Sequence, residues 1–285
     1  MKKLPARKST GSDPCKLVAL FLLLAIINIV FAASPDDFPY QLSSRTDVPL
    51  ALTAAVAGGS GLALQAIQPR AAREDIVALD RQDIPLFDRS ATGHYSSTAD
   101  NWSDIALRVS AVAPGLLALP LLSKKEYPAL LTLAVMYAEA SSINLGFTST
   151  VKALVRRPRP FNYSQDLSLE KKLAAGKEGF RSFYSGHSSG AFCSAIFGAT
   201  VFSDLYPESK FKTLVWGVSL AMATTTGILR YYAGKHYPTD IVTGACLGGL
   251  TGYLVPALHR RLHSGALSVR PVIGAGNGFC LKYRF

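Results

Sequence analysis

Long apolar runs without Lys, Arg, Asp or Glu alternate with polar connections along the whole 285-residue chain. They occupy residues 17–35, 48–69, 109–123, 127–151 (interrupted by Glu139), 182–203, 213–229 and 241–258. Several approach the roughly 20 residues that a membrane-spanning helix needs. No alternating strand pattern occurs before the last twenty or so residues, so the body is expected to be helical. The predicted fold is all-α: a bundle of about six core helices, transmembrane, with a short strand-like C-terminal tail.

The polar stretches set the organisation. A basic segment with Lys2, Lys3, Arg7, Lys8 and Lys16 precedes the first apolar run. That pattern fits a secretory signal cleaved near Ala32-Ala33-Ser34, or an uncleaved first span with its basic end in the cytoplasm. Residues 1–34 are therefore assigned as signal peptide or signal anchor. Residues 35–103 are assigned as an extramembrane loop region with one doubtful apolar helix at 48–69. Four residues in the middle of that run, Gly58-Gly59-Ser60-Gly61, weaken it as an independent helix. A core follows over 104–262, and a tail over 263–285. Two polar loops, 70–102 and 161–180, frame the start of the core. The tail alternates Val269, Pro271, Ile273, then Phe279, Leu281, Tyr283, Phe285, a period of two. That suits a surface strand or a disordered tail, or less readily a terminal strand of an outer-membrane barrel.

Composition narrows the class. Only 17% of residues are charged while 49% are apolar, below the usual charged share of about 25% in soluble domains. A mean hydropathy of +0.22 is nonetheless modest for a protein embedded along its whole length. The net charge of +11 favours an anionic partner. Nucleic acid is the poorest candidate, because the basic residues lie scattered between apolar runs and form no stripe interleaved with aromatics. Cys15, Cys193, Cys246 and Cys280 show neither metal-type spacing nor a disulfide framework.

Three clusters at the edges of apolar runs carry the chemistry. They are Lys152-Ala-Leu-Val-Arg-Arg-Pro-Arg159-Pro160, Arg181-Ser-Phe-Tyr-Ser185-Gly186-His187 and Arg230-Tyr-Tyr-Ala-Gly-Lys-His236-Tyr-Pro-Thr-Asp240. A phosphoryl group in transfer spreads negative charge over its equatorial oxygens, so a protein acting on it mainly positions and neutralises. Lys152, Arg159 and Arg230 supply cations, the guanidinium groups with bidentate reach. Ser185-Gly186 at a helix start offers a hydroxyl and exposed N–H groups, a ready anion site. His236 can attack phosphorus if its other ring nitrogen is held, and Asp240, four residues on and just after Pro238, is placed to hold it. His187 can protonate the leaving oxygen and then activate water. The set is chemically complete with no metal and no cofactor. Taken singly, each of these short motifs is more often structural than catalytic; their joint occurrence carries the reading.

The clusters resemble the type 2 phosphatidic acid phosphatase (PAP2) superfamily, with its K-x6-R-P, P-S-G-H and S-R-x5-H-x3-D signatures, and more narrowly its bacterial membrane lipid phosphatases. The resemblance covers roughly 104–260. It implies phosphate binding by Lys152, Arg159, Ser185, Gly186 and Arg230. It further implies a nucleophile at His236, an acid/base at His187 and an orienting carboxylate at Asp240. Tyr184 stands where the family has Pro, and Leu229 where it has Ser. The implied activity is a metal-independent phosphatase that hydrolyses phosphate monoesters or diphosphates on a membrane lipid through a phospho-histidine. A soluble periplasmic acid phosphatase or a vanadium-dependent haloperoxidase could use the same residues.

With 17–33 as the first span and 48–69 set aside, six spans place Lys124-Lys125, Lys210–Lys212 and His259–Arg261 in the cytoplasm, as the positive-inside rule prefers. The active site then faces the periplasm from the inner membrane. The expected partners are a phosphorylated lipid or other phosphate ester and the surrounding membrane lipids, with no nucleic acid.

Overall fold

The computed structural model describes residues 38–261, together with the backbone of two strands, β1 (Leu267–Val272) and β2 (Gly278–Tyr283). The expected signal segment, residues 1–34, lies outside the described residues. Six long helices make the body: α1 (Ser44–Ile67), α2 (Ser97–Val112), α3 (Tyr127–Val155), α4 (Gly186–Leu205), α5 (Lys212–Tyr232) and α6 (Pro238–His259). Local sequence explains their starts. The Ser43, Ser96 and Ser185 hydroxyls accept from backbone N–H groups in the first turns of α1, α2 and α4. Pro238 is the first residue of α6, where its missing N–H is no loss. The α2 ladder tightens at Pro114 into a 3-10 turn over Ala113–Leu117, then resumes over Ala118–Ser123. The tail forms an antiparallel pair with Leu267 opposite Tyr283 and Val272 opposite Gly278.

Successive helices run up and down. The carboxyl ends of α1, α3 and α5 therefore meet the amino ends of α2, α4 and α6 at one end of the bundle. Gln68, just past α1, donates to the Ala153 carbonyl of α3. Arg230 of α5 reaches Asp100 of α2, and the Ser185 N–H before α4 donates to the Asp240 carbonyl of α6. At the opposite end Tyr40 bridges to Arg260 and donates to Asp204. The apolar core between them is built on Leu133, Met136, Phe197, Val201 and Phe202.

Among the described residues, four segments are long and apolar enough to cross a membrane: Ser44–Ile67, Ser97–Ser123, Tyr127–Tyr163 and Pro238–His259. Leu52, Val56, Leu62 and Ile67 of α1 turn outward and stay exposed, as do Leu247, Leu250 and Leu254 of α6. This is the build of a multi-pass membrane protein.

The structure corrects one expectation. The run at 48–69 is no doubtful helix but part of the bundle, packed lengthwise along α3. Its glycines are the contact surface. A Cβ on Gly61 would sit 2.8 Å from the Ser149 Cβ, and one on Gly146 2.8 Å from the Gly58 nitrogen. Small residues let two helices approach closely where lipid offers no hydrophobic drive between them. The same device joins α4 to α6. Gly244, Gly248 and Gly252 recur every fourth residue, and added Cβ atoms would lie 2.5, 2.0 and 2.2 Å from the carbonyl oxygens of Ser185, Ser189 and Cys193.

Gly248→Ala must therefore push α6 off α4, whereas Gly59→Ala, with nothing within 4 Å of the new Cβ, only gains helix propensity. The expected outcome is a fall in stability of about 1–3 kcal/mol for Gly248→Ala, in the range of overpacked cores, and no loss for Gly59→Ala. Thermal unfolding of the detergent-solubilised variants measures both.

Candidate active site

The three clusters meet where the helix ends converge, and backbone hydrogen bonds join them pairwise. The Ser182 N–H donates to the Arg157 carbonyl at 3.0 Å, the Phe161 N–H to the Gly234 carbonyl at 2.9 Å, and the Ser185 N–H to the Asp240 carbonyl at 3.0 Å. Gly234 sits at φ +67, and a Cβ there would lie 2.1 Å from the His94 carbonyl oxygen, so only glycine closes the turn between Arg230 and His236. Each cluster is thus held by the other two.

His236 is wholly buried, between the end of α5 and the start of α6, and neither ring nitrogen makes a hydrogen bond. Its Nδ1 lies 3.6 Å from Asp240 Oδ2. That is ion-pair reach, longer than the hydrogen bond expected of an orienting carboxylate. Asp240 is itself held. Its Oδ2 accepts from Ser182 Oγ at 2.5 Å and the Tyr237 N–H at 3.0 Å, and its Oδ1 accepts from Arg157 Nη1 at 2.6 Å.

Cations surround the imidazole. Burial, then the charges of Lys152, Arg159, Arg230 and His187, hold His236 well below the ordinary imidazole value, so the ring is neutral at neutral pH. Arg159 pairs with Glu178 at 3.0 Å, and Arg230 with Asp100 at 2.6 Å. Among the described residues, several buried guanidinium donors here make no hydrogen bond: Arg159 Nε, Arg230 Nε and Arg181 Nη1, while Arg181 Nε only reaches Glu178 Oε1 at the ion-pair distance of 3.5 Å. The Lys152 ammonium lies 3.4 Å from where a Cβ on Gly186 would stand, so that glycine leaves room beside it. His187 Nε2 is 2.7 Å from Asp104 Oδ1. Ser185 is in place, but its hydroxyl accepts from the Ser188 N–H at 3.3 Å and is occupied in capping α4. Lys152, Gly186 and His187 open onto a cavity of about 380 Å³ that runs between α2, α3 and α4 down to Tyr137 and Ser194.

Tyr184 and Leu229, the departures from the signatures, fall where they spare these contacts. Tyr184 is buried and its hydroxyl accepts from Thr148 at 3.2 Å. For Leu229 the structure shows no role.

Other residues of the site escaped the sequence reading. Arg157 spans the first and third clusters: Nη2 pairs with Asp88 at 2.7 Å, and the guanidinium lies 4.0 Å from the Tyr237 ring centre. Asp88 also accepts from the Thr239 N–H and hydroxyl. Asp100 and Asp104 tie Arg230, Lys235 and His187 to α2. Their spacing of four on one helix face, in a chain with 19 acidic against 30 basic residues, was a usable signal. Asp88 lies in the 70–102 segment expected as loop, which folds into short turns of helix before α2 begins at Ser97.

Residues 129–264 match the sequence model of the PAP2 superfamily. A Lipid A 4'-phosphatase of Bacteroides thetaiotaomicron is 30% identical over 151 residues, 51% of this chain and 64% of that protein. A Phosphatidylglycerophosphatase B of Bacillus subtilis is 34% identical over 82 residues, 28% of this chain and 40% of that protein. The chain thus matches less than two thirds of the length of these relatives. The crystal structure of a transmembrane PAP2-type phosphatidylglycerolphosphate phosphatase from Bacillus subtilis shares 22% identity over 84% of this chain and 94% of that one. Its TM-score of 0.38 is too low to carry structural inference.

Two outcomes follow from the buried charges. Arg157→Ala leaves Asp88 and Asp240 buried without their cation and is expected to lower stability by about 3 kcal/mol. Arg157→Lys recovers only part, because one ammonium cannot span both carboxylates as the planar guanidinium does. Chemical unfolding in detergent compares them. For His236 the folded ring resists protonation while the unfolded ring takes a proton near its usual value of about 6.5. Below that pH the unfolded state binds more protons, so stability falls as pH drops from about 6.5 toward the folded value. Unfolding midpoints between pH 7 and 5 are expected to fall more steeply in the wild type than in His236→Asn.

Proposed function

We propose that this protein, whose residues 129–264 match the PAP2-superfamily model, is a phosphatase that hydrolyses phosphate monoesters or diphosphates of membrane lipids through a phospho-histidine. One observation carries the reading: among the described residues, buried donors of Arg159, Arg181 and Arg230 without a hydrogen bond stand with a buried neutral imidazole whose nitrogens are not hydrogen-bonded either. Buried polar groups are normally paired, and a set left unpaired around one point fits a phosphoryl group.

His236 Nε2 attacks phosphorus and the P–N bond forms as the bond to the lipid oxygen breaks. His187, whose protonation the bound phosphate charge favours, gives its proton to that leaving oxygen. Asp240 stabilises the charge that develops on the His236 ring, acting across 3.6 Å and held in place by Arg157. Lys152, Arg159 and Arg230, with Arg181 added from the structure, neutralise the equatorial oxygens, and the backbone at Ser185-Gly186 supplies N–H groups. Neutral His187 then takes a proton from water, which attacks phosphorus, breaks the P–N bond and releases phosphate.

A lipid substrate is supported by the helices long and apolar enough to cross a membrane and by the substrates named for the matched relatives, lipid A and phosphatidylglycerophosphate. With all six helices crossing, Lys124, Lys125, Lys210, Lys212, Arg260 and Arg261 gather at the end opposite the site. These short basic connections support a cytoplasmic position for that end and a periplasmic position for the site, in the inner membrane, where the site's own cations serve the phosphate.

The test is phosphate release by the detergent-purified protein from lipid A, phosphatidylglycerophosphate and prenyl diphosphates in the presence of EDTA. Activity on at least one lipid is expected to survive chelation and to fall by at least about 10³-fold in His236→Ala. Turnover that needs added metal, or that persists in the variant, would refute the mechanism. Release of the full-length protein from membranes by carbonate washing would instead favour a soluble acid phosphatase.

A further inference from the structure

Far from the phosphate site, three ionisable side chains meet inside the opposite end of the bundle. Asp47 comes from the first turn of α1, Glu139 from within α3 and His259 from the last turn of α6. Glu139 is thirteen residues before Lys152 on one helix, which separates the two by roughly 20 Å at 1.5 Å per residue. His259 Nε2 lies 2.8 Å from Asp47 Oδ1 and 3.3 Å from Glu139 Oε2. One donor atom from each of the three lies within 4.8 Å of the others.

The other ring nitrogen decides what Nε2 can be. His259 Nδ1 is 2.8 Å from the Val255 carbonyl, which can only accept, so Nδ1 carries a hydrogen. In the neutral ring the Nε2 lone pair then faces two carboxylate oxygens, an arrangement that needs a cation between them. A proton on Nε2 leaves the cluster one negative charge in excess. A divalent ion, or a second proton on one carboxyl, makes it neutral, which matters because a charged group within a membrane protein is costly unless paired. Among the described residues, the charged groups acting on Glu139 are His259 and Asp47 alone, with no lysine or arginine. Glu139 is only 8% exposed, and its Oε2 points into the cluster without a hydrogen bond.

We propose that Asp47, Glu139 and His259 form a structural site for a divalent metal ion of the zinc class, clamping α1, α3 and α6 together. The ligand set of one imidazole and two carboxylates suits such an ion, with room for water as a fourth ligand. Ligands about 2.0–2.1 Å from a tetrahedral metal stand about 3.3 Å apart, which is the separation of His259 Nε2 from Glu139 Oε2, while the 2.8 Å hydrogen bond to Asp47 Oδ1 has to open by about 0.5 Å to admit the ion. The outer shell is also built as metal sites build it. The Val255 carbonyl fixes the histidine tautomer, and the Ser43 N–H donates to the second Asp47 oxygen at 2.5 Å. This ion takes no part in phosphate transfer.

The test uses the full chain purified in detergent, stripped with EDTA and then dialysed against zinc chloride. Bound zinc is counted by mass spectrometry and the unfolding temperature is followed. The wild type is expected to bind one zinc ion per chain and to unfold at a higher temperature when zinc is present. Glu139→Gln and His259→Gln are each expected to lose both effects. The loss of affinity should exceed the roughly 10–100-fold that an outer-shell change costs. Should these two fail to fold, Asp47→Asn, at a half-exposed helix start, gives the same reading. A wild type that binds no zinc, or binding that survives in the variants, overturns the site. Phosphate release is followed separately, and its survival after stripping is the property of the mechanism above.

Discussion

A single buried carboxylate holds the site together. Asp240 has no exposed surface, and a charge so placed is tolerable only if every oxygen is paired. The partners come from all three clusters: Arg157 from the first, Ser182 from the second, and the Tyr237 N–H beside it in the third. Its own carbonyl accepts from Ser185, the cap of α4. The need to satisfy one ion thus fixes three chain segments spread over more than eighty residues. It also sets the 3.6 Å approach to His236, because the oxygen nearest that ring is already engaged by Ser182 and Tyr237.

That clamp operates only because two helices can come together beneath it. The glycines of α6 let it ride on the backbone of α4, which brings the amino ends of both helices side by side. The polar network then needs no long side chains to bridge a gap. Close packing below and ion pairing above are two parts of one arrangement, and disturbing either moves the other. The same logic links α1 to α3 through Gly61 and Gly146, so a helix remote from the chemistry steadies the one that carries Lys152.

The acidic residues of α2 modify this picture. Asp100 and Asp104 moderate a cluster otherwise dominated by cations, which would repel one another if packed around a neutral ring alone. Asp104 also orients His187, the group assigned to proton transfer. A site proposed to receive an anion can then exist as a folded structure before the anion arrives.

The helical class, the boundaries set by Ser185 and Pro238, and the grouping of Lys152, Arg159, His187, Arg230 and His236 into candidate chemistry were all legible in the sequence. Caps, proline positions and motif spacing are local properties, and local properties survive in a string of letters. The helix at 44–67 was misjudged because glycines read locally weaken a helix, while against α3 they are what allows it to pack. Arg157 and Asp88 were missed for a related reason. Each draws its meaning from a partner sixty-nine or more positions away, and no spacing rule spans such a distance. Residue chemistry was determined by the sequence itself; which buried charges face one another was decided only when the helices packed, because pairing energies depend on separations of a few ångströms that the chain order does not contain.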